Sequence, residues 1–364
     1  LTELLSRKAI TKVQSSILVA VIIIAVVAGG AAYYYTTIPP EKLVTPTKSE
    51  PLKLTEPVKV TVVSAEPPVA SYTRIAAFVE ILRKEFPKGS TFGHELITGY
   101  ASNTKYIGEK KADLGIIACR VVVQGSVGEL PGQTAPYTNL RTIATGFEPA
   151  IIHWVVHKDF PANTLEELIA KKIPIKLGIP TKGTEGELVF NEVLTVYGIT
   201  IKDIESWGGK VIYLAFKDFP GYLKDRLMDS WFCVQSLGDP GFYEASMACD
   251  LKWLPLSQKA IDYFTKPPYK YYSAYSKYTL KKDHWRLAPE YPSFAANVAM
   301  VTRADVSDAI VYNILEAFSK NKDDFFINWP SAKPFFKFED AWKDTPVPLH
   351  PGAEQWFKVR GYMK

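Results

Sequence analysis

The sequence predicts an α/β protein in which two α/β lobes follow one long hydrophobic N-terminal helix. Short β-branched runs alternate with amphipathic stretches along most of the chain, the rhythm of strands covered by helices. The 364 residues are 47% hydrophobic and 22% charged, a globular composition too long for one ordinary core and suited to two domains of about 150 residues. From Val13 to Pro40 no side chain carries a charge, and the run Ile17–Ala32 lies within an uncharged stretch as long as the roughly 20 residues of a bilayer-spanning helix. The 43 basic and 38 acidic side chains form no long block of one sign, which excludes a nucleic-acid scaffold. Eight Asn and six Gln are few for this length and lean towards a thermophilic source.

Taken in order, Arg7, Lys8 and Lys12 precede the apolar run against the single acid Glu3. This bias keeps the N-terminus cytoplasmic and sends everything after Tyr35 outside, anchored at the cell surface. A cleaved secretory signal is the alternative. Residues 1–35 are thus the helix, and residues 36–57, with five prolines, a stiff spacer. Strands are expected at VKVTVVS, ADLGIIA, IIHWVVH, IKLGIP, KVIYLAF, SWFCVQS, LKWLPL and NVAMVTR. Helices are expected at Tyr72–Glu85, Glu185–Tyr197, near Tyr222–Met228, near Tyr243–Ala248 and at Asp305–Ser319. The order implies mostly parallel sheets, with one lobe from residues 58–147 plus 302–364 and the other from 148–301.

No motif for catalysis appears: no nucleophile elbow, Walker loop, zincin helix or G-x-G-x-x-G. Asp113, Glu185, Glu187, Asp229 and Asp239 fall near strand ends, where surface or helix-start duty explains each. His153 and His157 have helical ligand spacing, but in a strand they stand about 13 Å apart and share no metal. The chain is therefore expected to be no enzyme and to hold neither metal nor cofactor. Two turns stand out instead. Pro180–Glu187 (PTKGTEGE) follows a strand and opens a helix, leaving backbone N–H groups for an anion, with Thr184 and Glu187 spaced as a capping box. Thr98–Asn103 (TGYASN) offers hydroxyls, an amide and free N–H groups in the other lobe. A pair of such loops suggests a small acidic ligand between lobes. Trp207, Trp231, Phe232 and Tyr243 form a possible aromatic wall, with core packing the other reading. Arg74 and Arg120 can offer a guanidinium to a carboxylate or serve in salt bridges. Cys233 and Cys249 can close a loop worth about 3 kcal/mol if oxidised, or remain buried thiols.

From Val58 onward the chain resembles the TAXI family, the solute receptors of TRAP-type transporters. The resemblance rests on ADLGIIACR, LRTIATGFEPAIIHWVVHKDF, KIPIKLGIPTKGTEGELVFNEVLTVYGI, NVAMVTRADVSDAIVYNILEAF and VPLHPGAEQWFKVRG. It implies two Rossmann-like lobes of the periplasmic-binding-protein type II fold, a small carboxylate such as a dicarboxylate or amino acid, and a TRAP-type membrane permease as partner. By position it places Thr98, Gly99, Ser102 and Asn103 in one ligand loop and Thr181, Gly183, Thr184 and Glu185 in the other. The chain departs from the family at Ser64–Tyr72, which lacks glycine and carries Pro67-Pro68. The N-terminal segment resembles archaeal class III, pilin-like signals. It gives a rival reading in which residues 1–35 pack into a homo-oligomeric filament that displays the receptor domain.

Overall fold

A computed structural model of the chain describes residues 50–67, 69–97, 99–237, 239–281 and 290–364. The expected N-terminal helix and the spacer up to residue 49 lie outside the described residues. Among the described residues no helix is long and apolar enough to cross a membrane. Residues 50–57 form neither helix nor strand, and Leu52 and Leu54 lie against the core. The Asn313 side-chain amide donates to the Leu52 carbonyl at 2.9 Å.

The chain then runs through β1 (Lys59–Ser64), α1 (Ala70–Glu85), β2 (Thr91–Leu96), α2 (Tyr100–Gly108), β3 (Leu114–Ala118), α3 (Cys119–Val127) and the long β4 (Leu140–His157). Next come α4 (Leu165–Lys171), β5 (Lys176–Pro180), α5 (Glu185–Val196), α6 (Ile201–Ser206), β6 (Lys210–Leu214), α7 (Phe219–Lys224), β7 (Ser230–Gln235), α8 (Pro240–Ala248) and β8 (Leu251–Trp253). After α9 (Gln258–Thr265) and β9 (Tyr275–Leu280), the long β10 (Tyr291–Arg303) leads to α10 (Asp308–Lys320), α11 (Lys322–Ile327) and α12 (Pro351–Val359). The α/β class is as expected.

The strands form one sheet in the order β2-β1-β3-β10-β4-β7-β5-β6, with β8 beside β4 and β9 beside β10. Parallel pairing holds within β2-β1-β3 and β7-β5-β6. Every ladder that β4 or β10 forms with another strand is antiparallel, so the expectation of mostly parallel sheets is corrected. The reason is length: 18-residue β4 and 13-residue β10 each run through both halves of the sheet and return against their neighbours. The helix expected over Tyr222–Met228 ends early, at Lys224, and the chain turns at Arg226 with φ 56°. Ser307 caps the Ile310 N–H at 3.2 Å, so α10 starts after Asp305. Trp231 and Phe232 are fully buried in separate parts of the core, Trp231 stacked on Phe219 and Phe232 edge-on to Trp154, while Trp207 packs on the core's edge and Tyr243 is exposed, so they make no common wall. All three cysteines are free thiols, and Cys233 is fully buried.

Between the halves, the β4–β10 ladder shifts register from Phe147↔Val298 to Ala150↔Ala296. Gly146 has φ 81°, a left-handed conformation that a glycine adopts without a Cβ clash, and Pro149 brings no N–H to the ladder. Glu148 sits in this bend with 1% of its surface exposed. Its Oε1 accepts from the Leu237 N–H at 2.9 Å. Its Oε2 accepts from the Ser331 hydroxyl at 2.9 Å and from the Trp329 indole, and lies 3.4 Å from the Arg74 guanidinium. Arg74 also donates to the Ser236 hydroxyl at 2.9 Å and stacks 4.3 Å over Trp329. One ion pair therefore joins α1, β4, the segment after β7 and the C-terminal segment. Glu148→Ala would leave a buried guanidinium without its partner, and we expect it to lower the unfolding free energy by about 3–5 kcal/mol in a denaturant titration. A loss below about 1 kcal/mol would show that the pair is dispensable.

Candidate functional site

A cavity of about 330 Å³ opens where the chain leaves β1, β5, β6 and β7. Its walls are the β1–α1 turn, the first turns of α1, α2 and α5, and residues 214–217 and 234–236, with Ala150 behind. The helix starts face it because each helix begins where a parallel strand ends. The α1 and α2 starts have Val69 and Gly99 as N-caps, no side-chain cap and no acid in the first turn. The Tyr72 N–H of α1 donates to the Val69 carbonyl at 2.9 Å, while the N–H groups before it in α1 and those opening α2 lack intrahelical acceptors, and both starts carry the positive end of the helix dipole. Gly99 has φ 80°, and a Cβ there would stand 3.5 Å from the Thr184 methyl, so the two sequence-predicted loops meet across the cavity.

The α5 start is better satisfied. Thr184 Oγ1 donates to the Thr181 carbonyl at 2.7 Å and accepts from the Glu187 N–H at 3.4 Å. Glu187 reaches back to the Gly183 N–H at 3.2 Å rather than to that of Thr184, a variant of the expected capping box. Beside it, Glu185 lines the cavity with 3% exposure, and neither of its oxygens has a hydrogen-bond partner. Burial raises its pKa to about 7; Arg120 opposes the rise and Glu192 adds to it. Asn103, also on the wall and buried, has an unpartnered Oδ1.

Of the residues singled out from sequence, Arg74, Gly99, Asn103, Thr181, Thr184 and Glu185 line this cavity. Thr98 lies outside the described residues. Ser102 is half-buried on α2 and Gly183 takes φ 80° in its turn, and neither is on the wall. Arg120 is fully buried away from the wall, where it donates to Glu192 Oε1 at 2.5 Å, and the Tyr269 hydroxyl donates to Glu192 Oε2 at 2.6 Å. That pair ties α3 to α5. Burial alone would lower the Arg120 pKa, but the facing Tyr275, Glu192, Tyr269 and Glu185 turn the net shift upward. For Arg74 burial dominates and lowers the pKa, against Glu148, Tyr100 and Asp239. His153 and His157 are buried in β4, and no group of three metal-ligating side chains occurs among the described residues. Sequence reasoning missed Tyr100, Phe216 and Ser236; the last two follow strand ends, and Tyr100 shares a helix face with Asn103.

Residues 68–361 match the model of the NMT1-like family. Among solved structures the chain is similar to the periplasmic aliphatic sulphonate binding protein SsuA from Escherichia coli, at 12% identity, over 85% of this chain and 84% of that one, with a TM-score of 0.45. It is similar to a binding protein component of an ABC phosphonate transporter from Pseudomonas aeruginosa, at 11% identity, over 76% and 79%, with a TM-score of 0.48. It is similar too to PhnD1 from Prochlorococcus marinus, solved with methylphosphonate, at 12% identity, over 84% and 89%, with a TM-score of 0.43.

Glu185 makes stability depend on pH. Its folded pKa of about 7 exceeds the ordinary 4.5, so the folded chain keeps a proton that the unfolded chain releases. Its contribution is most favourable below pH 4.5, is lost as pH rises to about 7 and is constant above that. Glu185→Gln should therefore raise the unfolding free energy at pH 8 by about 3 kcal/mol relative to its effect at pH 4, in denaturant titrations without ligand. An effect equal at both pH values would contradict this titration.

Proposed function

The chain belongs to the NMT1-like family, and from that premise we propose that it is a solute receptor for a small anionic organic compound. The observation that carries this reading is the meeting, in one cavity, of two uncapped helix starts with the buried, unpartnered polar atoms of Glu185 and Asn103. Unpaired N–H groups at a helix start favour a negative charge, and buried polar atoms without partners are satisfied when a ligand supplies them. Residues 58–147 plus 302–364 act as one lobe and 148–301 as the other, and binding works by their closure on the ligand. The reaction is capture and release, with no bond made or broken.

The segments ADLGIIACR and KIPIKLGIPTKGTEGE support the narrower assignment to TAXI-type receptors, with a TRAP-type permease as the partner that takes the solute. The uncharged run Val13–Pro40 behind three basic residues supports a membrane tether that holds the receptor outside the cell.

The test is thermal unfolding of the purified full chain in detergent with panels of carboxylates, sulfonates and phosphonates. A compound present at about 100 times its Kd should stabilise the chain by about 2.7 kcal/mol and raise Tm. Val234→Trp, which fills the cavity from β7, should abolish the rise. A flat response to all three panels would overturn the receptor reading.

A further inference from the structure

The charge balance and apolar wall of the cavity narrow the ligand further; this step rests on the receptor reading above. We propose that the ligand is a monoanion with a single acidic head and an apolar body, of the kind of a branched-chain or aryl-substituted monocarboxylate, and that Glu185 selects it against dicarboxylates and amino acids. Three observations carry this.

The first is that, among the described residues, no free buried cation lies on the wall. Of the two cations among the described residues that line the cavity, Arg74 is buried but already committed to Glu148 at 3.4 Å and Ser236 at 2.9 Å, and Lys217 is exposed at the mouth. One acidic head is accommodated by the N–H groups of the α1 and α2 starts. A second carboxylate would lose its water without gaining a buried partner, which is strongly unfavourable. The second observation is the wall itself. Pro67, Val69, Ala150, Leu214, Phe216 and Val234 offer carbon to whatever extends from the head. Burial of an apolar body against them is favourable.

The third observation is Glu185, whose two oxygens have no partner although the side chain is buried on the same wall. A bound carboxylate head disfavours a second negative charge close by, so Glu185 keeps its proton and can donate an O–H to the head. An ammonium group would call for the opposite state, an ionised Glu185. The two ligand classes therefore differ in the sign of their pH dependence. Because free Glu185 titrates at about 7, an acid head that requires the protonated form should bind about tenfold more weakly at pH 8 than at pH 6.

The experiment is calorimetric titration of the full chain in detergent with 4-methylpentanoate, 3-phenylpropanoate, glutarate and leucine, at pH 6 and pH 8. At least one of the two monocarboxylates should bind tenfold or more tightly than glutarate and leucine, and should weaken about tenfold between the two pH values. Glu185→Gln should flatten that pH dependence, while the wild-type ligand series stands without any variant. Tighter binding of glutarate or leucine, or binding that strengthens with pH, would overturn this inference and leave the receptor reading in place. Binding of none of the four overturns the inference, and a flat response of the broader panels as well would remove the receptor reading with it.

Discussion

The structure depends on one buried ion pair, Arg74 with Glu148, set in the bend of the longest strand. Two charges withdrawn from water are costly unless their remaining hydrogen-bonding capacity is filled. Here Glu148 takes N–H or O–H donors from Leu237, Trp329 and Ser331, and Arg74 has Ser236 and the face of Trp329. The pair and its partners come from four separate stretches of chain. Satisfying one carboxylate thus sets where α1 begins, where β7 ends and how the C-terminal segment crosses them. The first two are walls of the cavity.

The same economy shapes the charge of the site. Arg74 is used by Glu148 on one side, and Arg120 by Glu192 behind it. Both arginines tie the two halves of the sheet together, since α1 and α3 follow strands of one half while the Ser236 segment and α5 follow strands of the other. On the receptor reading, with Lys217 exposed at the mouth, the buried groups that receive the anion are backbone N–H groups in the first turns of α1 and α2. An anion held by peptide dipoles needs no buried side-chain cation. A neutral Glu185 is compatible with that arrangement, whereas an ionised one would compete with the ligand for the same donors.

Much of this was legible in the sequence because local chemistry decides it. The β-branched run of β1, the strand and turn before α5, and the Thr184 cap declare themselves by residue type and spacing. The expectation that Gly99, Asn103, Thr184 and Glu185 belong to facing loops came from the same local signals, together with the family resemblance. The antiparallel return of β4 and β10 was not legible, since strand direction depends on a partner about 150 residues away. Nor was the commitment of Arg120 to Glu192, 72 positions along the chain. Ser102 is a different case. Helical geometry puts Tyr100 and Asn103 on one face of α2 and turns Ser102 from it, which spacing alone could have told.

The account places a ligand among the helix starts that face one another across the cavity. Amide hydrogen exchange of the full chain, with and without saturating 4-methylpentanoate, tests that placement most directly. The account predicts slowed exchange in residues 70–74, 100–103 and 184–187 and at Ser236 and Leu237, with the outer strands β2 and β6 unchanged. Slowed exchange confined to other segments, or none at all, would contradict it.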